Sequence, residues 1–211
     1  RQMCIRDRYD YKYEELLKLK GVPGIRGKIG IPLVLNLYDN LPFWHSFFTN
    51  LGYEVVLSDR SSKALYSLGQ HTIPSDTICY PAKLVHGHIQ SLIDKGLQTI
   101  FYPCMTYNVN EDMGDNHFNC PVVAYYPEVV EGNMNLEHVK FLYPYVYLED
   151  KRIFDQRMFE YFKAQQMDIP FKDVQAASNH AYFAYQQFKD RVQEEGRNAI
   201  AFARRNHRDV I

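Results

Sequence analysis

The sequence predicts an α/β protein: an open, mostly parallel sheet with flanking helices, followed by a C-terminal helical segment. Three observations predict it. Short apolar runs alternate with helix-period segments from Lys28 onward, the pattern of strands joined by crossover helices. The 211 residues are 46% apolar and 23% charged, enough apolar side chain for one large domain with a real core. After Asp150 the strand-like runs cease and only helical periodicity remains.

Residues 1–25 form a lead-in. Residues 1–8, Cys4 among them, carry four charges and no periodicity, the pattern of translated adapter sequence, and belong to no predicted element. Tyr9 to Lys20 is a charged, helical stretch that Gly21-Val22-Pro23-Gly24 ends. Residues 26–150 form the α/β domain. Its first apolar segment is Ile29-Gly30-Ile31 with Leu33-Val34-Leu35, broken by Pro32, which cannot donate to a ladder. Asp39-Asn40 then caps a helix, with Pro42 in its first turn. Trp44, Phe47, Phe48 and Leu51 recur at i, i+3, i+4 and i+7, so this helix buries an aromatic face.

Gly52 stops that helix, and Tyr53 to Leu57 is a second strand. Ser61-Ser62 opens a short helix through Leu68, ended by Gly69. A further helix covers Pro81 to Lys95, ended by Gly96. Leu97 to Tyr102 is a third strand and Pro121 to Tyr126 a fourth. Between them Met105 to Asn119 is a long polar connection with six Asn/Asp residues, the kind that carries function or moves. Val139 to Leu148 is a weaker strand, interrupted by Pro144. Residues 151–211 form the helical segment: Lys151 to Gln166, then Asp173 to about Arg208, with Pro170 between them and Gly196 marking a kink or break. The order reads as Rossmann-like. Asp209-Val210-Ile211 begins a new apolar run, so a second domain is expected beyond it.

Charge excludes some functions. Twenty-four basic and 25 acidic side chains leave a net charge of −1, which gives no global reason to bind nucleic acid or an anionic membrane. No apolar run approaches the roughly 20 residues of a membrane helix. Four cysteines are too few for a disulfide scaffold, and the expected setting is reducing and cytoplasmic. The segment Gly21 to Gly27 precedes a strand instead of following one, so it is no nucleotide fingerprint. A phosphate-binding loop and a serine elbow are likewise missing from the chain.

Chemistry concentrates on three cysteines. Cys79 falls where the Pro81 helix begins, Cys104 directly after the third strand, and Cys120 at the entrance of the segment from Pro121. Strand carboxyl ends and helix amino ends share the rim of a parallel sheet where ligands bind. Cys79 and Cys104 therefore meet there, joined by Cys120 if the polar loop folds back. Soft thiolates select an iron–sulfur cluster, zinc or cuprous copper. Three thiolates on a four-iron cluster leave one iron for another ligand. The spacings, Cys-x24-Cys and Cys-x15-Cys, match no compact ligand motif, and free cysteine also serves as a small core hydrophobe. Lys83 and His86 lie at i+4 and i+7 from Cys79, near enough to approach an anion there. His117 in the polar loop is a further ligand candidate.

These same residues resemble a known family. Arg26 to Pro32, Tyr38 to Phe48, Val55-Val56-Leu57-Ser58, Cys79-Tyr80-Pro81-Ala82-Lys83 with His86-Gly87-His88, Tyr102-Pro103-Cys104, and Asn119-Cys120-Pro121-Val122-Val123 resemble the acyl-CoA dehydratase activase-related family. That family forms the C-terminal part of long proteins related to the 2-hydroxyglutaryl-CoA dehydratase activator. The resemblance implies a module like the dehydratase subunits, which carry a 4Fe-4S cluster on three cysteines; by motif these are Cys79, Cys104 and Cys120. It implies as partner an ATP-hydrolysing activase domain or subunit that delivers low-potential electrons, and an acyl-CoA as substrate. In the dehydratases such an electron makes a ketyl radical from a 2-hydroxyacyl-CoA and permits loss of water. Two alternatives stand beside an electron-transfer module: a cluster-free docking module for the activase, and a zinc-stabilised domain with His86 or His117 as fourth ligand.

Overall fold

A computed structural model describes residues 5–110 and 114–208. In chain order the elements are α1 (Ile5–Leu17), β1 (Lys28–Ile31), α2 (Asn36–Asn50), β2 (Glu54–Leu57), α3 (Lys63–Gly69), a 3-10 turn (Gln70–Thr72), α4 (Tyr80–Asp94), β3 (Thr99–Phe101), α5 (Pro121–Asn133), β4 (Lys140–Leu142), α6 (Lys151–Ala164) and α7 (Phe171–Arg205). The four strands form one sheet in the order β2-β1-β3-β4, every pair parallel. The open parallel sheet with flanking helices and a long C-terminal helix is the predicted class.

The strand order has one reversal. The chain steps from β1 outward to β2, then crosses back over β1 to β3. With right-handed crossovers, α2 covers one face of the sheet, and α3, α4 and α5 cover the other. Contacts agree: α4 packs on α3 and α5, whereas α2 packs on α1 and α7, and α7 on α6. The switch point of the sheet is the crevice between the carboxyl ends of β1 and β3.

Aromatic packing holds the α2 face. Trp44, Phe47, Phe48 and Leu51 are all buried, as their spacing predicts. The Trp44 and Phe48 rings each lie 4.7 Å from Phe101 of β3, and Phe43 and Phe47 lie 5.2 and 5.4 Å from Phe154 of α6. Edge-on and tilted rings at these distances add about 0.5–1.5 kcal/mol per pair beyond burial itself. On the opposite face a glycine pair sets the packing. A Cβ on Gly87 would stand 2.1 Å from the Leu65 carbonyl oxygen, and one on Gly69 would stand 2.3 Å from the Gly87 nitrogen. Only hydrogen at both positions lets α3 and α4 come this close.

Several boundaries differ from the sequence reading. The run Pro121 to Tyr126 is the start of α5 and no strand. Its β-branched and aromatic residues suggest a strand, yet Pro121 occupies a first-turn helix position, and the buried residues Ala124, Pro127 and Val130 follow a helical spacing. The fourth strand is β4, a shorter piece of the Val139 to Leu148 run. α2 starts at Asn36, ahead of the expected Asp39-Asn40 cap, because Leu37 and Leu41 extend its buried stripe upstream. Pro42 consequently lies inside the helix, and its missing N–H leaves the Tyr38 carbonyl without that bond. α7 runs through Gly196 uninterrupted; the glycine is buried, and a Cβ there would meet the Arg8 guanidinium at 2.9 Å. Residues 5–8, expected outside every element, form the beginning of α1, since no breaker precedes Tyr9. Cys4 and the terminal run Asp209-Val210-Ile211 lie outside the described residues.

Two substitutions test this packing. Trp44→Ala should cost about 3–5 kcal/mol, read from chemical denaturation; an unchanged midpoint would place that ring at the surface. Gly87→Ala should cost about 1–3 kcal/mol, because the added methyl overlaps a backbone oxygen that cannot move alone. Full stability in that variant would mean the two helices have slack.

Candidate functional site

The carboxyl rim of the sheet on the α4–α5 face carries the three cysteines. Cys79 is the N-cap of α4, with φ −62° and ψ 151°; Cys120 is the N-cap of α5, with φ −62° and ψ 156°. Both are followed by a proline in the first turn, and neither side chain caps its helix. The two thiols are thus placed by the same local device. Pro121 directly follows Cys120 and holds it extended, whereas Pro81 stands one residue further on, after the helical Tyr80; each proline presets φ for its helix. Both side chains are exposed. The Cys120 placement corrects the sequence reading, which put it at the entrance of a strand.

Cys104 is fully buried. It continues the β3–β4 ladder past the formal strands: Tyr102 N–H donates to Leu142 O, Cys104 N–H to Pro144 O, and Val146 N–H to Cys104 O. Burial, with Glu128 adding to it, pushes the Cys104 thiol up to about 12. A metal bound at that sulfur would offset the cost of a buried thiolate.

The polar loop does fold back. Tyr107 and Phe118 pair as an antiparallel bridge. Asn108 N–H donates to His117 O, Asn119 N–H to Thr106 O, and the Asn119 side-chain amide to Met105 O. The loop therefore leaves Cys104 and returns beside it, which is the condition for Cys120 to join the same rim.

Two tyrosines that the sequence reading gave no role occupy the space behind the cysteines. Tyr102 is fully buried, and its hydroxyl has no hydrogen-bond partner. Burial holds that phenol far above its ordinary range, with Tyr126, Cys104 and Cys120 within electrostatic reach. Burial also pushes Tyr126 up to about 12, and Cys79 lies within its reach. Electrostatics thus couples Tyr102 to Cys104 and Cys120, and Tyr126 to Cys79. The signal was available in the Tyr102-Pro103-Cys104 triplet, where a tyrosine two residues before Cys104 points to the same side of an extended chain.

The other candidates stand further back. His86 is buried with both ring nitrogens engaged, Nε2 at 2.9 Å from the Tyr126 hydroxyl and Nδ1 at 2.8 Å from Thr72 Oγ1. It orients Tyr126 and has neither an N–H left for an anion nor a lone pair left for a metal. Lys83 donates to the Asp76 carbonyl at 2.8 Å. His117 packs edge-on against Tyr107 in the loop, its ring 5.8 Å away. His88, on the other side of Gly87, is buried between Ser58 Oγ at 2.6 Å and Ser61 Oγ at 2.9 Å. Ser58 Oγ also accepts from Leu33 N–H, which ties α4 to both β1 and β2.

Among the described residues, no three His, Cys, Asp or Glu side chains are grouped tightly enough to hold one metal ion. A single ion draws its donors to about 2.0–2.3 Å, whereas a cubane keeps its thiolate sulfurs roughly 6–7 Å apart. The rim offers soft donors, exposed thiols at two helix amino ends and one buried thiol, of the kind that bind an iron–sulfur cluster, zinc or cuprous copper. No helix among the described residues is long and apolar enough to cross a membrane.

The chain matches a protein-family model. The model described as CoA enzyme activase uncharacterised domain (DUF2229) covers residues 28–211, in agreement with the resemblance read from the cysteine-bearing motifs. Neither the curated proteins nor the solved structures contain a match.

The buried histidines make stability depend on pH. Burial lowers both His86 and His88 from 6.5 to about 4. The folded state keeps them neutral, while the unfolded chain takes up their protons below about 6.5. Their contribution is whole above that pH and is lost as pH falls toward 4. Unfolding at pH 5 should therefore take up close to one proton per histidine, measurable by calorimetry in buffers of different ionisation enthalpy. A stability that stays flat between pH 7 and 5 would contradict it.

Proposed function

The chain belongs to the family of CoA enzyme activase uncharacterised domains, and from that premise we propose that it is the iron–sulfur module of an activase-linked CoA enzyme. Cys79, Cys104 and Cys120 hold a 4Fe-4S cluster in this reading. Its main support is the position of the three cysteines at the carboxyl ends of the strands, Cys79 and Cys120 at helix amino ends and Cys104 directly after β3.

A 4Fe-4S cluster supplies one-electron transfer at low potential, with the iron not bound by cysteine open to another ligand. The chain's own residues prepare the place for it. The amino ends of α4 and α5 carry partial positive charge and favour an anionic centre between them. Tyr102 directs a hydrogen-bond donor inward, where it has no protein acceptor. Cys104 and Tyr102 close the inner side to water, while Cys79 and Cys120 face outward and give a partner access. Tyr126, held by His86, keeps the second phenol fixed beside Cys79.

The electron donor in this proposal is an ATP-hydrolysing activase domain or subunit, and the substrate class is an acyl-CoA, in a reducing, cytoplasmic setting. The zinc alternative is weakened by His86, whose nitrogens are both committed. The cluster-free docking module is separated from the proposal by metal content.

Anaerobic purification followed by iron and sulfide analysis tests it. About four irons and four sulfides per chain are expected. Cys79→Ser and Cys120→Ser, both at exposed positions, should abolish or badly impair iron binding, and Cys4→Ser should leave it intact. One zinc per chain, or no metal after reconstitution, would overturn the proposal.

A further inference from the structure

Alternation along β3 decides where Tyr102 points. Phe101, the last residue of β3, turns its ring to α2, 4.7 Å from both Trp44 and Phe48. Successive side chains of an extended chain face opposite sides, so Tyr102 faces the α4–α5 side. Pairing with the β4 segment continues in two-residue steps, from Tyr102 N–H on Leu142 O to Cys104 N–H on Pro144 O. Cys104 therefore faces the same side as Tyr102, one step along. Cys79 and Cys120 begin the two helices that cover that side.

The Tyr102 hydroxyl is buried and meets no acceptor; no cysteine sulfur takes its hydrogen. A buried hydroxyl without a partner costs stability, and a native chain keeps one where something else uses it. A phenol carries its oxygen further from the backbone than a cysteine carries its sulfur. Beside Cys104 the hydroxyl thus outreaches the thiol, toward the depth of whatever that thiol binds.

Tyr126, the other phenol of this layer, has its hydrogen committed. Thr72 Oγ1 donates its one hydrogen to Gly69 O at 2.8 Å, so toward His86 it acts as acceptor, from Nδ1–H. His86 Nε2 is then bare and accepts from the Tyr126 hydroxyl at 2.9 Å. The tautomer follows from the hydrogen-bond network. Of the two phenols, only Tyr102 has a hydrogen to give to a third group.

We propose that Tyr102 donates its hydroxyl hydrogen to a sulfur of the cluster on Cys79, Cys104 and Cys120, and thereby raises that cluster's reduction potential. The inference rests on the cluster reading above. Reduction adds negative charge that spreads onto the sulfurs, and a hydrogen bond to a sulfur favours the reduced form. The chain itself then helps to set how readily the centre accepts an electron.

Tyr102→Phe in the 211-residue chain, purified anaerobically, tests it. The change removes one oxygen and keeps the ring. Without metal the variant should be at least as stable as the parent in chemical denaturation, because the lost hydroxyl has no partner. Loaded with iron and sulfide, its cluster should be about tenfold harder to reduce, a fall of about 59 mV for a one-electron couple, read by redox titration followed by EPR. A variant as stable as the parent without metal that retains less iron also supports the contact, since only the bound group can then miss the hydroxyl. An unchanged potential at full iron content, or lower stability of the variant without metal, overturns this inference and leaves the cluster reading intact. A parent chain that binds no iron overturns both.

Discussion

The contact between Gly87 and the Leu65 carbonyl is the constraint on which the cysteine rim depends. It brings α3 and α4 to backbone contact, and no side chain could occupy that gap. With α4 fixed, the residues flanking the glycine are driven inward on opposite sides. His88 is locked to Ser58 and Ser61, and His86 to Thr72 and Tyr126. The helix is thereby held at both its neighbours, and its amino end, bearing Cys79, has one position relative to the sheet. A histidine pair so deeply buried is stable only as neutral imidazole, which couples the placement of the rim to pH.

The second determinant is the identity of α5. As a strand, Pro121 to Tyr126 would have carried Cys120 into the sheet. As a helix it makes Cys120 an N-cap with nearly the same backbone angles as Cys79. Two helix amino ends then lie at the carboxyl rim of the sheet, where the end of β3 supplies the buried Cys104. Each thiol is delivered by a different element, so none of the spacing along the chain had to be short. That is why the set matches no compact ligand motif and yet occupies one edge of the molecule.

The switch point of the sheet gives the protein two sides with different chemistry. On the α4–α5 face stand sulfur and phenol groups, suited to a soft metal centre. On the α2 face stand the carboxamides of Asn36 and Asn40 beside the apolar side chains of Val109 and Phe188. Met105 joins the two. It follows Cys104 directly, receives both asparagine amides on its sulfur, and accepts from Asn119 on its carbonyl. Movement of this residue would be felt on both sides, because the interior around it is close-packed.

Much of this was legible in the sequence. The alternation of apolar and helix-period runs determined the open parallel α/β class, and the Trp44, Phe47, Phe48, Leu51 spacing determined which face of α2 is buried, since periodicity reports local geometry directly. The cysteines stood out because each lies at an element end with a proline within two residues. What periodicity could not decide was α5: a β-branched, aromatic run favours strand locally, and only packing of Ala124, Pro127 and Val130 against the body of the protein makes it helix. Nor could it place Tyr102 and Tyr126 among the cysteines, or bring Asn36 and Asn40 beside α7. Those neighbours are tens of residues apart in the chain, and long-range contact is set by strand order and crossover, which the tertiary structure alone determines.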